Sequence, residues 1–110
     1  MIMYEEETVL CAASAYEEKY FFNDDFKSLP VEVKKELRAM CTLFTVDVGG
    51  ILELVFSEDG ELMFRTSADE GDLLYDEIGS VLKVKQLQGE KRELLEALET
   101  YYRVFFLGEE

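Results

Sequence analysis

The sequence predicts a two-layer α+β fold: a four-stranded antiparallel sheet of two hairpins with three helices, in the order ββαββαα, over a single domain at 1–110. Three observations carry this. A run of 3.6-residue periodicity lies between a proline and a glycine pair. Two short alternating segments flank Asp59-Gly60. The C-terminal third then shows helical spacing twice. A chain of 110 residues that is 48% hydrophobic fits one domain with one core.

In chain order, the first 25 residues carry conflicting signals. Alanines at 12, 13 and 15 favour helix, whereas Tyr20-Phe21-Phe22 favours strand. Two strands, Thr8 to Ala15 and Lys19 to Asn23, around Tyr16-Glu17-Glu18 are preferred, because they give a second hairpin neighbours to pack with. A helix follows Ser28-Leu29-Pro30, a capping residue with a proline in the first turn. Its apolar residues Val33, Leu37, Met40, Cys41, Phe44 and Val48 fall at offsets 0, +4, +7, +8, +11 and +15, a single stripe. Glu32, Lys34, Lys35, Glu36 and Arg38 cover the other side, and Gly49-Gly50 ends the helix.

The second hairpin has a register that can be argued. A two-residue turn at Asp59-Gly60 would pair Phe56 with Met63 and Leu54 with Arg65, mixing the faces. A three-residue loop, Glu58-Asp59-Gly60, pairs Phe56 with Leu62, Leu54 with Phe64 and Glu53 with Arg65, with Gly60 in the left-handed position. The segment from Asp69 to Gly108 reads as two helices. Asp69-Glu70-Gly71-Asp72 places carboxylates in the first turn, and Leu74, Ile78, Val81 and Leu82 form the expected inward stripe. Gly89 breaks the run. The last helix carries Leu94, Leu95, Leu98, Tyr101, Tyr102, Phe105 and Phe106 on a wide apolar face, with Glu99 and Arg103 as an i,i+4 pair.

Composition excludes whole classes of function. Acidic residues number 25 against 11 basic ones, a formal charge of −14, and there is no histidine. The chain cannot build a Ser-His-Asp, Cys-His or HExxH site from its own residues. Its charge opposes direct binding to nucleic acid, whose phosphates are held largely by Lys and Arg. Two cysteines are no disulfide framework, and neither a leader nor an 18-residue apolar run is visible. A cytoplasmic location with reduced thiols, no membrane span and no cofactor is expected.

The segments VDVGG (46–50), DEGDLLYDEIGSVLK (69–83) and YYRVFFLG (101–108) resemble a family of small uncharacterised proteins of clostridial Firmicutes, over nearly the whole chain. The resemblance implies a bacterial cytosolic protein. It carries no activity, ligand or catalytic residue.

Candidate chemistry is sparse. In the acidic cluster, Asp69, Asp72 and Asp76 are candidate ligands for a divalent cation, although helix capping explains the same residues and the pattern lacks a calcium loop. Cys11 and Cys41 read as small core residues, because neither has a cationic neighbour or a helix N-terminus to stabilise a thiolate. Asp47 beside Gly49-Gly50 opposes the helix dipole, a small misfit. Surplus apolar surface is the more informative signal. Ile51, Val55 and Met63 lie on the second hairpin's outer stripe, and Tyr102, Phe105 and Phe106 widen the last helix's apolar arc. These six are the interface candidates.

The function expected from sequence is therefore a non-catalytic acidic binding module that self-associates, most simply as a homodimer. Its field would favour a basic protein partner. The alternatives are a divalent-metal-dependent enzyme or sensor using residues 69–77, and an acidic decoy of a nucleic-acid-binding protein.

Overall fold

In a computed structural model, which describes residues 7–109, two hairpins meet in one antiparallel sheet. The acids at positions 5, 6 and 110 lie outside the described residues. Strand β1 (Thr8–Ser14) pairs with β2 (Lys19–Phe22), and β3 (Ile51–Phe56) with β4 (Leu62–Ser67). The hairpins join through β1 and β3, giving the order β2-β1-β3-β4. A 3-10 turn (Asp24–Phe26) and α1 (Val31–Val48) connect them, and α2 (Glu77–Glu90) and α3 (Arg92–Phe105) complete the ββαββαα arrangement. The N-terminal hairpin resolves the conflict between its alanines and aromatics in favour of strand. Ala13 faces the core opposite Tyr20, while Ala12 pairs with Phe21 on the other face.

The β3–β4 register is the one that the three-residue loop dictates. Phe56 opposes Leu62, Leu54 opposes Phe64, and Glu53 opposes Arg65. Ser57 N–H donates to the Glu61 carbonyl at 2.8 Å, closing the loop 58–60, and Gly60 takes φ +90° at its end. On β1 a bulge at Leu10 lets two successive side chains, Leu10 and Cys11, both turn inward. Asn23 fills the gap: its backbone N–H donates to the Leu10 carbonyl at 2.9 Å and its side-chain amide to the Val9 carbonyl at 2.7 Å.

One core joins all three helices to the same face of the sheet. Leu37, Met40, Cys41, Phe44 and Val48 of α1 meet Leu10, Cys11, Leu52, Leu54 and Phe56. Val33, the first residue of the expected stripe, is partly buried at its margin. Pro30 stands at the N-cap of α1, so Ser28 is not the cap. At the other end of the core, Phe26 is fully buried. Its ring lies 4.7 Å from Phe106 and 5.6 Å from Phe56, while Tyr102 stacks on Phe56 at 4.2 Å. Contacts of this kind add about 0.5–1.5 kcal/mol each beyond area burial.

The C-terminal third departs from expectation in four ways. Helix α2 starts at Glu77, so residues 69–76 form a loop rather than a first turn. The stripe expected to face inward (Leu74, Ile78, Val81 and Leu82) faces solvent, and Ser80 and Leu87 are buried in its place, with Val84 against the core. The break comes at Lys91, two residues after Gly89, which stays helical. Finally, Glu99 and Arg103 both turn to the β3–β4 hairpin. Glu99 Oε2 accepts from Leu62 N–H at 2.8 Å, and Arg103 Nε–H donates to the Asp59 carbonyl at 3.3 Å.

Candidate functional site

The loop after β4 is held by the Tyr16 side chain, by its own carboxylates and by a backbone bond to α1. Tyr16, in the β1–β2 turn, donates its hydroxyl proton to Asp72 Oδ2 at 2.5 Å and accepts from the Asp69 backbone N–H at 2.8 Å. Asp72 Oδ1 accepts from Leu74 N–H at 2.9 Å, and Asp76 N–H donates to the Val48 carbonyl at 3.1 Å, tying the loop to the end of α1. Asp76 then caps α2, its carboxylate accepting from Gly79 N–H at 2.8 Å. The Tyr16 hydroxyl holds the Asp72 carboxyl below its ordinary range, with help from the Leu74 amide. In turn the carboxylate pushes the Tyr16 phenol up.

These bonds engage the carboxylates of two of the three candidate ligands. Asp72 clamps the loop, Asp76 caps the helix and Asp69 is fixed through its backbone. Among the described residues, no group of three or more Cys, Asp or Glu side chains is placed to hold a metal ion. Asp47, the misfit at the end of α1, makes an ion pair with Lys83 of α2 at 2.7 Å, which answers its unfavourable place on the helix dipole.

Around the loop and the start of α2 lies a cleft of about 910 Å³. Leu73, Tyr75, Ile78 and Val81 give it apolar lining, and Asp69, Glu70, Asp72, Asp76 and Glu77 give it carboxylates; among the described residues no Lys or Arg lines it. Leu73 is 95% exposed and Ile78 is 76% exposed. On the far side of α2, the antiparallel pairing with α1 is fixed by Lys83–Asp47 and by Lys91–Glu36 at 2.9 Å. There Leu43 borders the groove between the helices, and the exposed Val46 (79%) and Leu82 (63%) are next in sequence to the paired Asp47 and Lys83. Helix α2 thus separates an acidic cleft from an aliphatic ridge.

The six interface candidates divide. Phe105 is 71% exposed and Phe106 is exposed at 39%, although the Phe106 ring also stacks on Phe26 and Tyr102. Ile51 and Met63 are half-buried. Val55 is fully buried, so it contributes no outer surface. Tyr102 is buried as well, because its ring stacks on Phe56 and its hydroxyl bonds Thr8 Oγ1 at 2.8 Å. The larger exposed surface on α1 and α2 is not among these six, because spacing alone places Ile78, Val81 and Leu82 on an inward stripe.

Cys11 and Cys41 are both buried, as expected, and the fold brings their sulfurs to 3.7 Å across the β1–α1 interface. The contact with Cys11, together with burial, pushes the Cys41 thiol up, so it stays protonated. Beside them the Tyr20 hydroxyl is buried without a hydrogen-bond partner among the described residues, and the Arg38 guanidinium lies 5.6 Å over its ring.

The fold and its surface define a class: a small acidic α+β domain with an unpartnered aliphatic helix face and an acidic cleft. The chain belongs to a family of unknown function, DUF6145, whose model matches residues 7–110. No curated protein and no solved structure matches it. Among the described residues, no helix is long and apolar enough to cross a membrane.

Proposed function

We propose that the protein is a non-catalytic interaction module of the bacterial cytoplasm, of clostridial origin, that self-associates through the ridge of α1 and α2. One observation carries the reading. Leu43, Val46 and Leu82 remain exposed on two helices joined by two ion pairs, where full burial of such side chains is worth about 1.5–3 kcal/mol each. A twofold pairing of that ridge is the simplest way to cover it, since the same patch then serves on both subunits. The absence of histidine and the structural use of Asp72 and Asp76 support a non-catalytic role.

Light scattering on eluting protein at tens of micromolar tests this. A dimer is expected, and Val46→Glu with Leu82→Glu should yield a monomer with an unchanged fold. Because each copy carries −14, the dimer should tighten as salt is added. A wild-type protein that stays monomeric at 100 micromolar in 300 millimolar salt overturns the self-association.

A further inference from the structure

The cleft on the other side of α2 differs from the ridge in chemistry. Its apolar lining is rimmed by five carboxylates and, among the described residues, no cation. Asp72 and Asp76 are engaged by neutral donors that leave their charge in place, and Asp69, Glu70 and Glu77 add three more. Lys83, the nearest cation on α2, is paired with Asp47 of α1, and Lys85, one turn beyond Val81 on the same face, does not line the cleft. A second copy of this chain is a poor occupant here, because it brings a further −14 to an already negative cleft.

We propose that this cleft docks a cationic amphipathic segment of a partner protein, with apolar anchors on Leu73, Ile78 and Val81 and flanking Lys or Arg side chains among the rim carboxylates. The proposal rests on the module reading but not on self-association, and the two respond to salt in opposite directions. Apolar anchors supply the affinity, while the rim sets partner choice and association rate. A partner helix with apolar residues at i, i+3, i+4 and i+7 presents this pattern in one face.

The test uses the whole chain and three synthetic 14-residue probes followed by fluorescence anisotropy: a leucine/lysine amphipathic helix, its leucine/glutamate counterpart, and an oligolysine. The leucine/lysine helix should bind, weakening at least tenfold between 50 and 300 millimolar salt. The other two should bind at least tenfold more weakly. Local charge is separated from net charge by two triple variants of equal total charge. Asp69→Asn/Glu70→Gln/Glu77→Gln in the cleft should weaken binding about tenfold, whereas Glu58→Gln/Asp59→Asn/Glu61→Gln in the β3–β4 turn should change it less than threefold. Leu73→Ser with Ile78→Ser, both at exposed positions, should also weaken it about tenfold. Equal losses in the two charge variants, equal binding of the lysine and glutamate helices, or no binding of the lysine helix at 500 micromolar each overturn the proposal. Light scattering without peptide reports self-association separately.

Discussion

At the scale of single residues, two positions hold the acidic loop in place, and they fail in different ways. Gly50 follows α1 with φ +70°, and a Cβ there would stand 2.5 Å from the Ser67 carbonyl oxygen and 2.7 Å from the Tyr75 ring. The left-handed backbone alone costs an L-residue about 1–2 kcal/mol, and overpacking against backbone adds about 1–3 kcal/mol. Gly50→Ala should therefore lower unfolding free energy by about 2–5 kcal/mol in urea titrations; a loss under 1 kcal/mol would mean the loop yields easily. The Tyr16–Asp72 bond is exposed and acts through protonation. Since the folded-state pKa of Asp72 is depressed, its contribution is present above the ordinary carboxyl pKa and is lost as pH falls through the lower, folded value. The raised pKa of Tyr16 works the other way, with its contribution lost as pH climbs past the ordinary phenol range. Replacing Tyr16 with Phe should move the Asp72 carboxyl titration, followed by carbon NMR, upward toward the model-peptide value. An unmoved midpoint would assign the depression to the backbone amides instead.

At the scale of elements, α2 shows what patterning specifies and what it leaves open. It carries apolar residues on two sides: Ile78 and Leu82 outward, Val84 and Leu87 inward. Periodicity identifies such a helix but not its phase, because the choice depends on what α1 and the sheet offer. The run Asp69-Glu70-Gly71-Asp72 looked like a helix start on composition. It is held as a loop by contacts from Tyr16, 53 residues away, and from Val48, neither visible locally. The β3–β4 register, by contrast, followed from side-chain alternation and one glycine, both local. Phe26 went unread as core for the same reason as the loop: its partners Phe56, Tyr102 and Phe106 come from distant segments. The acids of the candidate site were thus legible as a cluster, whereas the cleft they rim was not. The phase of α2 can be checked by substitution. Leu87→Ala should cost about 2–4 kcal/mol as a buried truncation, and Ile78→Ser should stay within about 0.5 kcal/mol at low protein concentration. Comparable losses at both positions would restore the inward stripe that the spacing first implied.

At the scale of the whole molecule, the charge of −14 acts on every equilibrium of this chain. Its visible ion pairs, Lys83–Asp47, Lys91–Glu36, Arg65–Glu7 and Lys35–Glu32, are all partly or largely exposed. Pairs of that kind contribute about 0–1 kcal/mol each and weaken with salt. Repulsion among the surplus carboxylates is longer in range, so it is the larger effect when the screening length is long. Raising sodium chloride from 10 to 150 millimolar shortens that length from about 30 Å to about 8 Å, past the spacing of most surface charges. Relief of repulsion should therefore exceed the loss of the ion pairs, and the melting temperature should rise by several degrees, where about 1 kcal/mol corresponds to about 4–8 °C in a domain near this size. Chloride is the appropriate anion, since sulfate would strengthen apolar burial in its own right. Measurement below a micromolar keeps dimer formation, which salt also favours, out of the result. A melting temperature that stays flat or falls across this range would place the attractive pairs above the repulsion, and with it remove the reason for a salt-strengthened dimer.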